Sequence, residues 1–251
     1  MTQFSRTELL LGQASVQRLS SMRVVVFGLG GVGSHALESL VRSGVGYVRI
    51  VDFDTVHQSN INRQLFALHS TAGMPKVEVA VERMRDINPH CIIEPHHTFA
   101  SSETLNDLLE GPLDAVVDAI DSVTPKRDLL YMARRKNYFV VSSMGAAGRL
   151  DPSMIRVGDI SETHNCPLAR VLRKRLHRLG LYKGIRAVYS MEIPRKAISD
   201  VTTGAAEEFF QRGRERTPLG TISYLPAIFG YTAAAEAIQH FLNASSTLKI
   251  R

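Results

Sequence analysis

The sequence predicts an α/β fold: a Rossmann-like, mostly parallel sheet flanked by helices, continued by an antiparallel C-terminal extension. Three observations predict it. Residues 23–27, RVVVF, are an apolar, β-branched run of the kind buried on both faces of a parallel sheet. Gly28, Gly30 and Gly33 follow at G-x-G-x-x-G spacing, with Gly31 inside the turn. A second strand, 47–51, ends in Asp52, 19 residues after Gly33, about where an acidic side chain accepts hydrogen bonds from ribose hydroxyls. Strand, glycine turn, helix, strand and acid in that order read as a nucleotide-binding βαβ unit.

Taken in order, residues 6–20 are predicted as a short helix packed on the core through Leu9, Leu10, Val16 and Leu19. The glycines let the chain turn sharply near a phosphate, and the helix starting near Val32 offers free N–H groups and a positive dipole end. After Asp52, the segment Ser59-Asn60-Ile61-Asn62-Arg63-Gln64 sets amides, a guanidinium and a hydroxyl beside the strand ends, where ligands bind in open α/β sheets. Residues 75–88 read as a helix with Pro75 in its first turn, closed by Asn88-Pro89. A strand over 91–95 and a helix over 101–109 capped by Ser101 follow. A buried strand over 113–120 then delivers Asp118 and Asp121 to the C-terminal edge of the sheet, before a helix over 125–136 and a strand over 138–143.

Beyond Gly148 the alternating segments 154–157 and 186–191 predict antiparallel strands. Residues 195–217 lack an apolar period and read as a flexible loop or lid. Residues 225–242 are strongly apolar, but Pro226, Glu236, Gln239 and His240 favour a buried or dimer-facing helix over a membrane span.

A chain of 251 residues is expected to form one body. The polar opening lacks an apolar stretch behind a basic start, so a cytoplasmic location without membrane insertion is expected. The net charge is +6, and its distribution says more. Residues 170–186 hold seven Lys/Arg and no acid, with Val171, Leu172, Leu176 and Leu179 as the expected buried stripe of an amphipathic helix. Arg134, Arg135 and Lys136 form a second cluster, and Arg212, Arg214 and Arg216 a third. One such run reads as a solvated face; three in a nucleotide-site protein favour a nucleic-acid partner. The two cysteines are too few for a four-thiolate zinc site, and Cys91 reads as a buried strand residue.

The G-x-G-G-x-G of residues 28–33, Asp52-Phe53-Asp54, Ser59 to Gln64, Pro75-Lys76 and Asp118-Ala119-Ile120-Asp121-Ser122 together resemble the adenylating enzymes of the ThiF/MoeB and ubiquitin-activating superfamily, in order over roughly the first 145 residues. A nicotinamide dehydrogenase would fit the glycines and Asp52 but has no need of Arg63 and Lys76. Within the superfamily the chain is most similar to the tRNA threonylcarbamoyladenosine dehydratases, through Phe4-Ser5-Arg6 to Leu11-Gly12, Cys166-Pro167-Leu168-Ala169 and Gly220 to Pro226. The resemblance implies a single ThiF-type domain over 1–251, with a nucleotide-binding half at about 20–144 and an acceptor half at about 145–251. The implied reaction is ATP-dependent activation of the threonine carboxylate of N6-threonylcarbamoyladenosine in tRNA, followed by cyclisation to an oxazolone with loss of water. Adenylation of the C-terminus of a ubiquitin-like or sulfur-carrier protein is the alternative, and the missing zinc cysteines count against it.

Position by position, the resemblance implies that Gly28, Gly30, Gly31 and Gly33 hold phosphate, that Asp52 holds the ribose, and that Asp54 is among the cofactor-binding residues. It puts Arg63 and Lys76 on the triphosphate, and Asn60 and Gln64 on the nucleotide or acyl group. Asp121, with Ser122 beside it, would bind Mg²⁺ and face the acyl phosphate. Arg63, Lys76 and Asp121 are the catalytic candidates. Arg6 would reach the triphosphate of the partner subunit in a homodimer; a surface arginine is the other reading. Asp118 is either a supporting acid or the end of its strand. Besides ATP and Mg²⁺, a monovalent cation is left open, as is association with sulfur-transfer proteins of a cysteine desulfurase system. Cys166, in a polar loop, reads as inert, with acyl transfer as the alternative. His57, His69 and His164 are candidate bases, though a lone histidine is more often a structural hydrogen-bonder.

Overall fold

Seven strands make one sheet in the order β3-β2-β1-β4-β5-β7-β6, and the computed structural model describes residues 2–196 and 219–244. The strands are β1 (Arg23–Phe27), β2 (Tyr47–Asp52), β3 (Ile92–His97), β4 (Ala115–Asp118), β5 (Phe139–Ser143), β6 (Ile155–Asp159) and β7 (Arg186–Ser190). All neighbours pair in parallel except β6 with β7, which run antiparallel in register Ile155↔Ser190 to Asp159↔Arg186. The chain builds outward from β1 to β3, then returns to place β4 on the other side of β1. That reversal opens a crevice beyond the C-terminal ends of β1 and β4, the usual ligand position of an open α/β sheet.

Successive side chains of the central strands enter two cores, which explains their continuous apolar sequence. Val24, Val26, Val48, Ile50, Val117 and Val141 face α3 (Gly33–Arg42), α4 (Lys76–Ile87) and α8 (Tyr224–Ala244). Val25, Phe27, Val51, Val116 and Val140 face α5 (Leu105–Leu108), α6 (Val123–Arg135) and α7 (Pro167–His177). The apolar segment 225–242 is thus a core helix, with Leu225, Phe229, Ala233, Ala234 and Ala237 buried. It lies so close to α3 that a Cβ at Gly230 would stand 2.3 Å from the Val32 carbonyl oxygen. Arg186 on β7 pairs with Glu236 of α8 at 2.7 Å, tying the C-terminal extension to this layer. No described helix is long and apolar enough to cross a membrane.

Four expectations are corrected. Residues 6–20 form two helices, α1 (Ser5–Leu11) and α2 (Gln13–Leu19), separated by Gly12 at φ 80°, a left-handed conformation that glycine adopts without steric cost. Val16 and Leu19 are buried as expected, but Leu9 and Leu10 are 89% and 82% exposed, because the break turns α1 away from the core. The helix expected over 101–109 shrinks to α5, and Ser101 does not cap it: the Ser101 N–H donates to Thr104 Oγ1, a local turn that replaces helix. On α7 the buried stripe is Ala169, Leu172 and Leu176, while Val171 and Leu179 are half exposed. Finally, Arg134 is no surface cation: Nη1 donates to the Tyr138 carbonyl at 2.8 Å and the guanidinium packs against Gly184. Arg212, Arg214 and Arg216, and nearly all of the segment 195–217 read as a loop or lid, lie outside the described residues.

Candidate active site

The glycine turn fits the crevice at the switch point. A Cβ at Gly33 would lie 1.7 Å from the Gly28 carbonyl oxygen, so only glycine lets the first turn of α3 fold back onto the end of β1. The start of α3 therefore points its free N–H groups into the crevice. Beside it Asp52, buried at the end of β2, braces the turn: Oδ2 accepts from the Leu29 N–H at 2.5 Å and Oδ1 from the Asp54 N–H at 2.8 Å. Burial raises its carboxyl pKa, and the Lys76 charge and the two N–H groups only partly offset this.

Lys76 opens α4 with its side chain buried and its Nζ 2.8 Å from Asp54 Oδ2. The structure therefore assembles Asp52, Asp54 and Lys76 as one ionic group next to the glycine turn. Asn60 and Gln64 are also buried here. Asn60 Oδ1 accepts from the His57 N–H, and Gln64 Nε2 lies 3.8 Å from where a Gly30 Cβ would sit. Arg63 runs alongside, its Cγ 3.4 Å from the corresponding position on Gly31 and its Nη1 donating to the Ser59 carbonyl and Asn62 Oδ1.

Asp121 stands across the crevice, exposed beyond β4, with Ser122 donating to its Oδ1 at 3.4 Å. Its loop is held from below by a group that sequence reading did not resolve. Asp118, fully buried, pairs with the fully buried Lys126 of α6 at 2.6 Å and accepts from Ser142 Oγ at 2.6 Å and the Ile120 N–H at 3.0 Å. Lys126 Nζ also donates to the Ile120 carbonyl at 2.9 Å. Asp118 is thus a structural acid, and the pair locks residues 118–121 as a rigid bracket for Asp121.

Sequence reading also missed Arg149. Buried at the rim, it donates to the carbonyls of Gly145, Ala147 and Asn165 and, at 3.1 Å, of Glu192. It joins the ends of β5 and β7 to the start of α7. The segment before α8 and the first turn of α8 close the other side: Gly220 accepts from the Gly148 N–H, Thr221 from Asn62 Nδ2, Leu150 from Tyr224 Oη, and Pro226 packs on Gly31.

The remaining candidates are Arg6, the two cysteines and three histidines. Arg6 is exposed on α1, which is anchored by Phe4 against Gly44 and Gln3 on Asn88, residues that precede β2 and β3 at the opposite sheet edge. Within its own chain Arg6 does not approach the glycine turn. Cys166 is buried at the start of α7 rather than in an open loop. Burial pushes the Cys91 thiol up to about 12, leaving it inert at neutral pH. His57, His69 and His164 are exposed.

The chain matches the ThiF family model over residues 4–250. It is 37% identical over 240 residues to the tRNA threonylcarbamoyladenosine dehydratase of Bacillus subtilis, spanning 96% of this chain and 94% of that protein. Identity to the Escherichia coli enzyme of the same name is 34% over 249 residues, 95% and 93% of the two chains. The crystal structure of the E. coli tRNA N6-threonylcarbamoyladenosine dehydratase in complex with AMP superposes with a TM-score of 0.88 at 32% identity, covering 98% of this chain and 96% of that one; the ATP complex gives 0.85. The molybdopterin-synthase adenylyltransferase of Salmonella typhimurium is similar over 113 residues, 45% of each chain. By fold, by the crevice motifs and by a family match over nearly its whole length, the chain belongs to the ThiF family.

Proposed function

We propose that this protein is an ATP-dependent tRNA threonylcarbamoyladenosine dehydratase. The observation that carries the reading is the extent of the likeness: relatives bearing that name align from end to end, including the antiparallel extension, whereas a carrier-activating relative aligns over less than half. The crevice chemistry agrees with it. A carboxylate attacking the α-phosphorus of ATP must be held in line, and positive groups must meet the charge growing on the departing pyrophosphate.

In this reading the glycine turn and the start of α3 bind phosphate, Asp52 accepts from the ribose, and Gln64 and Asn60 orient the bound groups. Lys76, tethered to Asp54, and Arg63 meet the triphosphate. The threonine carboxylate forms its bond to phosphorus as the bond to pyrophosphate breaks. The carbamoyl oxygen then attacks the acyl carbon, AMP leaves with the former carboxylate oxygen, and the carbamoyl N–H proton is lost. The nucleoside is left one water lighter. The attacking group is internal, so no enzyme nucleophile is required, in keeping with a buried Cys166.

A nucleotide-borne Mg²⁺ fits the donors: Asp121 is an exposed carboxylate facing the crevice, and Mg²⁺ is typically held by one or two carboxylates plus phosphate oxygens. Among the described residues no cluster of three or more His, Cys, Asp or Glu offers a cage of its own. When bound, the ion would neutralise charge on the phosphate oxygens. A homodimer belongs to the same proposal, supported by the exposed Leu9 and Leu10 and by the distance of Arg6 from its own crevice. A cytoplasmic location rests on the polar opening of the sequence, and sulfur-transfer partners on the resemblance alone.

The test is single-turnover ATP consumption. Threonylcarbamoylated tRNA should stimulate AMP formation, and tRNA lacking the modification should not. Stimulation instead by a ubiquitin-like or sulfur-carrier protein, with no response to either tRNA, would transfer the assignment to carrier activation.

A further inference from the structure

The cations of residues 170–186 separate into two sets. Arg173 is turned inward, donating to the Thr163 carbonyl at 2.8 Å and to its hydroxyl. Arg175 reaches Thr124 Oγ1 at 3.1 Å in the first turn of α6, three residues past Asp121. Those two fasten α7 beside the crevice. Arg170, Lys174 and Arg178 are exposed, and none forms an ion pair among the described residues. Their four-residue spacing puts them along one edge of the helix, about 6 Å apart along its axis. Just beyond, Tyr182 is 60% exposed, its ring 5.0 Å from that of His177, and Lys183 is exposed next to it.

We infer that the Arg170–Lys174–Arg178 edge of α7 and the exposed Tyr182 form an RNA-docking strip leading to the Asp121 side of the crevice. The strip would hold backbone phosphates on its cations and an unpaired base on the tyrosine ring. The inference rests on the proposed function. RNA is favoured by the pairing of unneutralised cations with an exposed aromatic platform. Phosphates need the former, and the splayed bases of a single-stranded loop stack on the latter. The nucleoside named in the proposed substrate must enter the crevice, so the strand carrying it has to pass over the neighbouring surface. Arg175 and Thr124 make α7 part of that surface. Arg134, which sequence alone would add to the RNA face, is excluded because its guanidinium is committed internally.

The experiment is equilibrium binding of unmodified tRNA and of an isolated anticodon stem-loop across a salt series, with ATP binding and dehydration of threonylcarbamoylated tRNA measured on the same preparations. For Arg170→Gln/Lys174→Gln/Arg178→Gln, the slope of log K against log salt should fall by about 2 to 3, and Kd for tRNA should rise on the order of tenfold. ATP affinity should be unchanged. An equal charge change made elsewhere on the surface, Arg42→Gln/Arg85→Gln/Arg156→Gln, should leave most of the affinity intact. Tyr182→Ala should weaken stem-loop binding without altering the salt slope, and Tyr182→Phe should restore it. Wild-type affinity and slope in the triple variant, or an equal loss in the control variant, would overturn the strip even if the wild-type enzyme dehydrates its substrate. Strip-dependent binding by a protein that dehydrates nothing would uphold the strip and remove the proposed function instead.

Discussion

At Asp52 burial opposes the ribose-binding role proposed for it. Its raised pKa means that the folded protein holds the proton more readily than the unfolded chain does. Its contribution to stability is therefore fully present below the ordinary value of 3.8 and is lost as pH rises through the raised value. Ribose hydroxyls, by contrast, need the ionised form as acceptor. Lowering the pH should thus weaken nucleotide binding with a midpoint above 3.8, and Asp52→Asn should flatten that dependence; an unchanged titration in the variant would remove Asp52 from the ribose site. Asp121→Ala should abolish ATP-dependent loss of water from modified tRNA while leaving thermal unfolding nearly unchanged, because the side chain is exposed. Normal turnover in that variant would sink its assigned role. Single residues were legible where their type is rare at such a position. Asp52, Arg63, Lys76 and Asp121 stand at strand ends or in polar stretches that no core requires. Arg149 was not legible, because its partners are four main-chain carbonyls from three segments of the chain, and a carbonyl leaves no mark in the sequence.

Among the elements, two contacts decide how well the crevice is held. The Asp118–Lys126 pair joins β4 to α6 where both side chains are fully buried. Lys126→Met should cost about 3 to 5 kcal/mol, because it strands a buried carboxylate, while Asp118→Asn/Lys126→Met should recover much of that. A double-mutant cycle by urea unfolding measures the coupling, and additive effects would contradict a bracket. Gly230 sets the approach of α8 to α3, so Gly230→Leu should cost about 1 to 3 kcal/mol by overpacking. It should also weaken ATP binding, because Pro226 at the head of α8 rests on Gly31. Calorimetry of ATP binding checks this, and unchanged affinity would separate α8 from the nucleotide turn. Strands β1, β2, β4 and β5 could be read from sequence because parallel strands covered on both faces are dominated by apolar, β-branched residues, Arg49 within β2 being an exception that pairs with Glu94. Helix ends were less legible. Gly12 splits one amphipathic period into two helices, and Thr104 outcompetes Ser101 for the local turn. The stripe of α7 was misread in part because Val171 and Leu179 are apolar but face outward.

At the scale of the molecule, one sheet carries a parallel part with its switch point at β1 and β4, and an antiparallel extension whose loops close the same crevice. Asn62 donates to the Thr221 carbonyl and Pro226 packs on Gly31, so residues 219–226 meet the glycine turn and its neighbours directly. The parallel part could be read closely because its glycines and acids have steric and ionic reasons to stand where they do. The part beyond β5 could be read only as strands and a basic helix, since residue spacing does not specify the surfaces it forms. In the proposed function this crevice uses ATP to remove water from a modified adenosine in tRNA. The most direct measurement is mass spectrometry of nucleosides from threonylcarbamoylated tRNA incubated with the full chain and Mg²⁺, with and without ATP. A modified adenosine lighter by one water, formed only with ATP, is the predicted result. An unchanged nucleoside from folded protein that binds ATP would contradict it.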